Sequence, residues 1–110
     1  MFLESQKVRT KHYYKIGYCA ELDKYLLAIT VTYVSFYDQY YVIDEDEYNL
    51  WKNNTEKLDA LAKECREDNI SSKRFLYSEM PRENTKEQMD FLFGEVAKRR
   101  YNPEFERIWI

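Results

Sequence analysis

One histidine, two cysteines and a run of four acids are the residues of this chain whose types and spacing could carry chemistry. Histidine is the usual proton carrier of enzymes, and His12 could move a proton if the fold placed a tyrosine and a carboxylate beside it. It lies among Lys11, Tyr13 and Tyr14, in what reads as the start of a strand, where an ordinary strand-end histidine is the simpler account. Cys19 and Cys65 are far apart, with no CxxC spacing and no glycine-flanked turn to activate a thiol. Both are expected to be buried thiols that act as small hydrophobes. One histidine and two separated cysteines do not furnish a closed zinc site. The run Asp44, Glu45, Asp46, Glu47 lacks the glycine of a calcium loop. It reads more simply as the first turn of a helix, where carboxylates complement the helix dipole. Gly17 and Gly94 stand alone, so there is no glycine-rich phosphate loop, and the Gly-Xaa-Ser-Xaa-Gly elbow is absent. No constellation specifies a reaction. The expectation is a non-enzymatic protein with no cofactor and no metal.

The elements that must position these residues follow from periodicity. Around His12, Tyr14, Ile16 and Tyr18 the apolar residues recur at every second position, the pattern of a strand with one buried face. After a polar bend at Glu21 to Lys24, the run from Tyr25 to Val34 is rich in β-branched and aromatic residues on both faces, as in a central strand. Phe36 to Ile43 continues the β character, and the three runs form an antiparallel meander. At Asp44 the period changes, since Asp44 with Glu47 three residues on makes a capping box before Tyr48, Leu50 and Trp51. Thr55 is expected to cap a second helix that buries Leu58, Leu61, Ala62 and Cys65. A turn at Asp68 to Ser72 leads to a short strand at Arg74 to Ser78. Thr85 and Gln88 make a second capping box after Pro81, before a helix burying Met89, Leu92, Phe93, Val96 and Ala97 and closing on Lys98, Arg99 and Arg100. Asn102 and Pro103 stop it. Phe105 to Ile110 is read as a last strand that brings Trp109 into the core. The fold class is therefore α+β, an antiparallel sheet beginning with a three-stranded meander and packed against about three helices, in the order β-β-β-α-α-β-α-β.

Size and charge bound the rest. A chain of 110 residues forms one domain, 1–110, and its 45% hydrophobic content suffices for an independent core. Two glycines and two prolines are too few for a many-turned sandwich or a flexible linker. The longest uncharged stretch, Tyr25 to Tyr37, falls short of the ~20 apolar residues of a membrane helix. Residues 1–11 do not read as a secretory signal, so a cytoplasmic location is expected. The net charge of −3 disfavours nonspecific binding to nucleic acid or to an anionic membrane, and favours a basic partner.

Eleven tyrosines are the compositional oddity, six of them between Tyr13 and Tyr37. A single-strand nucleic-acid platform would pair such aromatics with basic residues, which the third strand lacks. Tyrosines half in the core with hydroxyls in water are one account, and an interface is another, since tyrosine supplies large contact area at low entropic cost. On the second account Tyr37, Tyr40, Tyr41, Asp44, Glu45, Asp46 and Glu47 form one anionic, aromatic patch for a basic protein partner. In its size, its tyrosine-rich meander ending Tyr40-Tyr41-Val42-Ile43 and the Asp44-Glu45-Asp46-Glu47 run, the chain resembles the small immunity proteins of bacterial toxin systems. The resemblance implies a compact cytosolic α+β domain that neutralises a cognate toxin, such as a nuclease, by covering its basic active-site surface. The alternatives are a small enzyme using His12, and a structural domain that self-associates through a strand edge, so monomer and homodimer both stay open.

Overall fold

The computed structural model describes residues 3–32, 35–95 and 107–110, and for 91–95 and 107 the backbone alone. Among them six strands form one sheet in the order β5-β4-β3-β2-β1-β6. The strands are β1 (Glu4–Arg9), β2 (Tyr14–Cys19), β3 (Lys24–Val31), β4 (Tyr37–Ile43), β5 (Phe75–Ser78) and β6 (Arg107–Trp109). Helices α1 (Glu45–Tyr48), α2 (Leu50–Asn53) and α3 (Thr55–Asp68) follow β4, and α4 (Lys86–Glu95) follows β5. All the neighbouring pairs are antiparallel except β1 with β6, which runs parallel in the register Lys7 to Ile108. This is the α+β architecture expected, with an additional strand ahead of the meander.

The strand read as central is the third from the β5 edge, and it is buried on both faces. Its alternation sorts two cores. Leu27 stands between Ile16 and Tyr41 in the cross-strand row, and Ile29 lies opposite Tyr14. With Ile43 these side chains form one face, against which α3 lays Leu58, Ala62 and Cys65, residues spaced so that they share one helix stripe. On the reverse face Leu26, Ala28, Tyr40, Cys19 and Leu3 make a second cluster. Leu3 crosses directly over Gly17, where a Cβ would stand 2.7 Å from the Leu3 Cβ. A side chain at 17 is therefore excluded by close approach rather than by backbone conformation.

β1 is held by groups unusual for a strand. Ser5 has φ of 51° beside a bulge in the pairing with β2, and its carbonyl accepts the Tyr48 hydroxyl at 2.6 Å. The Lys7 amine lies 4.7 Å from the ring centroid of Trp51 and 5.9 Å from that of Tyr48, so a buried cationic side chain is met by aromatic faces. Helices α1 and α2 thereby clamp the strand from the α3 side.

Both capping boxes are present. Asp44 accepts from the Glu47 N–H while Glu47 accepts from that of Asp44, and Thr85 and Gln88 repeat the exchange. The cap of α3 is a correction: Asn54, not Thr55, accepts from the Lys57 N–H, and Thr55 is the first helical residue. His12 also moves, from a strand to a single 3-10 turn at Thr10–His12 that joins β1 to β2. Trp109, expected in the core, is 65% exposed, because β6 is an edge strand. Tyr33 and Val34, and the expected positions Val96, Ala97, Lys98, Arg99, Arg100, Asn102, Pro103 and Phe105, lie outside the described residues. Cys19 and Cys65 are unpaired and buried on opposite faces of the sheet. Burial pushes each thiol up to about 11, helped at Cys19 by its contact with Glu21.

Candidate functional site

The structure divides the expected anionic, aromatic patch. Tyr40 and Tyr41 are 3% and 0% exposed, one in each core, so neither presents a surface to a partner. The reason is the pleat: β4 is an interior strand covered on both faces, and its successive tyrosines point to opposite sides. Tyr37 begins the same strand, roughly 20 Å along it from Asp44. It is half-buried, and its hydroxyl donates to Glu83, which also takes the Ser78 hydroxyl at 2.6 Å and the Gln39 amide at 3.1 Å. Burial opposes ionisation of Glu83, but these donors outweigh it and hold the carboxyl below its usual range. The Tyr37 group serves to seat the 3-10 turn Pro81–Glu83 against the sheet.

The acids fare differently. Asp44, Asp46 and Glu47 line a cavity of about 430 Å³ between α1 and α3, whose other walls are Leu50, Lys57, Ala60, Leu61, Glu64 and Arg74. Four carboxylates (Asp44, Asp46, Glu47, Glu64) there face two cations (Lys57, Arg74), an excess of two negative charges over an apolar floor of Leu50, Ala60 and Leu61. One of those cations is already committed, for Arg74 grips Glu47 in a two-pronged pair at 2.7 and 2.8 Å and donates to the Val42 carbonyl. The Glu47 contact raises the Arg74 pKa. Glu47 thus joins the start of α1 to the entry of β5 and is itself satisfied. Asp46 and Glu64 have no ion pair among the described residues, and Asp46 is exposed. Glu45 is exposed but outside the cavity wall, near enough to Tyr25 to add to the burial that raises its pKa.

Leu50, Lys57, Leu61, Glu64 and Arg74 were not among the expected site residues. A signal for three of them exists in the sequence, since positions 57, 61 and 64 share one face of α3. That face joins the acids of α1 through the break in helical backbone at Asn54, between α2 and α3, which sets an angle that no local pattern encodes.

A second constellation gathers on the other flank of α3. Asp59 accepts the Arg9 fork at 2.7 and 3.1 Å and the hydroxyl of buried Tyr14, with His12 Nε2 at 3.5 Å. Burial raises the Asp59 pKa, but the Arg9 and Tyr14 hydrogen bonds overcome it and leave the carboxyl below its usual value. Burial and the Asp59 contact together push the Tyr14 hydroxyl far up. The histidine, tyrosine and carboxylate of the enzymatic alternative therefore do meet. Their hydrogen bonds, however, point inward, since both Asp59 oxygens accept from Arg9 and Tyr14 spends its proton on Asp59.

Among the described residues no three histidine, cysteine or acidic side chains converge as a metal site. No helix among them is long and apolar enough to cross a membrane. No protein-family model matches the chain, and neither does any curated protein or solved structure.

Proposed function

We propose that the chain is a non-catalytic protein-binding module whose acidic groove between α1 and α3 receives basic side chains of a partner protein. The observation that carries this reading is the pairing of two surplus negative charges with an apolar floor in one concave surface. Such a site suits a lysine or arginine, whose aliphatic stem packs on Leu50 and Leu61 while its charged head meets Asp46 and Glu64. The net charge of −3 steers the same class of partner from a distance. With the immunity-protein resemblance, this supports a module that neutralises a toxin by covering a basic active-site surface. Such a module acts within the cytoplasm.

The enzymatic alternative draws on the meeting of His12, Tyr14 and Asp59. It is disfavoured because the carboxylate is engaged by Arg9 and the tyrosine is buried and protonated, so neither is poised to exchange a proton with substrate. The cluster is better understood as the tie between the β1–β2 turn and α3.

The test is co-purification from the source cells with the wild-type chain and with a double reversal, Asp46→Lys and Glu64→Lys. Asp44 and Glu47 are spared because they cap α1 and Glu47 also holds Arg74. A basic protein retained by the wild type and lost by the reversal supports the reading. Equal retention by both, or a turnover that disappears in His12→Ala with the fold intact, removes it.

A further inference from the structure

Beside Asp59, a smaller cavity of about 290 Å³ is lined by His12, Asp59, Ala60, Ala62, Lys63 and Arg66. Its charge is opposite to that of the acidic groove, although Ala60 lines both. Asp59 adds little negative charge, because its partner Arg9 balances it at 2.7 Å. What remains is basic. Arg66 donates to three backbone carbonyls, of Thr30, His12 and Tyr13, and has no carboxylate partner among the described residues. A guanidinium carries five N–H donors, so its Nε–H and at least one Nη1–H remain unused. Lys63 is 77% exposed in its side chain and reaches Glu67 only at 4.0 Å, a contact too loose and too solvated to neutralise it. His12 turns Nε2 toward Asp59, and its other ring nitrogen donates to an anion in the protonated ring.

We infer that this cavity is a binding site for a small phosphate-type oxyanion, of which inorganic phosphate or a compact phosphomonoester is the fitting class. Three cationic or ionisable donors from two elements, the 3-10 turn and α3, converge on one concavity in a protein of net negative charge. A tetrahedral anion with several acceptor oxygens can meet a free Arg66 N–H, an ammonium and an imidazole together, which a single planar carboxylate does less completely. The volume of about 290 Å³ lies near the low end of ligand cavities, which leaves room for the anion with a compact organic group and not for a large ligand. The backbone of residues 12, 13 and 30 holds the Arg66 guanidinium in place, so little side-chain entropy is lost when its remaining N–H groups bind.

The experiment is a titration of the isotopically labelled chain at pH 7, followed by amide and histidine-ring resonances. Inorganic phosphate is compared with acetate and with chloride at equal ionic strength. The expected result is a saturable shift at His12, Lys63 and Arg66 with phosphate alone. Lys63→Glu, an exposed position whose reversal leaves the fold intact, should weaken it by about tenfold. His12→Gln, which keeps a polar side chain in the turn, should weaken it as well. Arg66 is left unaltered because it also holds three carbonyls. Shifts that grow linearly without saturation, that appear equally with acetate or chloride, or that persist unchanged in Lys63→Glu would overturn the assignment. The acidic groove is untouched by these variants, so the outcome is independent of the proposed protein-binding role.

Discussion

Replacing Asp59 by alanine removes the acceptor on which Arg9, Tyr14 and His12 converge, and its cost follows from the groups left behind. The Arg9 fork is 21% exposed and Asp59 19%, so solvent screens the pair and water can reach the freed guanidinium. The lost pair then contributes about 1 kcal/mol, toward the exposed end of the range for ion pairs. Tyr14 is 2% exposed, and its hydroxyl would be orphaned at about 1–3 kcal/mol. Together these give a loss of about 2–4 kcal/mol, a large share of the stability of a domain this size. Urea unfolding followed by far-UV circular dichroism reads it, with the slope unchanged if only the native tie is lost. Tyr14→Phe in the same background should restore about 1 kcal/mol or more, because no hydroxyl remains to be orphaned. The same carboxyl gives a pH signature. Its folded pKa is depressed, so its contribution is present above the ordinary carboxylate range and is lost as pH falls through the folded value. The gap between wild type and Asp59→Ala should therefore narrow below about pH 4, by the part that depends on the carboxylate charge. A loss under about 1 kcal/mol, or a gap that stays constant down to pH 2, would refute the view that this cluster is a structural tie.

Leu58→Ala should cost about 2–5 kcal/mol by the same unfolding assay, since Leu58 is fully buried between α3 and the sheet. Asn84 uses its side-chain amide to bond both the N–H and the C=O of Ser78 on the outer strand β5. Asn84→Ala should therefore uncover that edge, lower stability by about 1–2 kcal/mol and raise the sedimentation coefficient with concentration. Glu47→Ala should destabilise by about 1–3 kcal/mol in urea unfolding, because it breaks the capping box and the Arg74 pair at once.

What the sequence made legible is what has a local period. The meander shows in the alternation of β2, β3 and β4, and the starts of α1 and α4 show in capping boxes that need only two side chains three residues apart. β1 escaped because its pattern is broken twice, by the left-handed Ser5 at the bulge and by Lys7, whose charge reads as surface but whose amine rests on Trp51 and Tyr48. Tyr40 and Tyr41 misled for the converse reason. A tyrosine is amphipathic, and only the number of layers on each side of β4 decides whether it is covered. The acids at 44, 46 and 47 could be read as a charged helix start, but the groove they line requires α3 alongside. The Asp59 cluster likewise joins residues about fifty positions apart in the chain, by a register of helix on turn that has no sequence pattern.

The groove itself offers the most direct measurement. A short peptide carrying alternating arginine and leucine, titrated into the labelled chain at low salt, should shift the amides of residues 44–50 and 57–64 saturably. The double reversal of Asp46 and Glu64 should abolish those shifts while leaving the remaining spectrum in place. Shifts scattered over the surface, or unchanged in the reversed chain, would contradict a binding role for the groove.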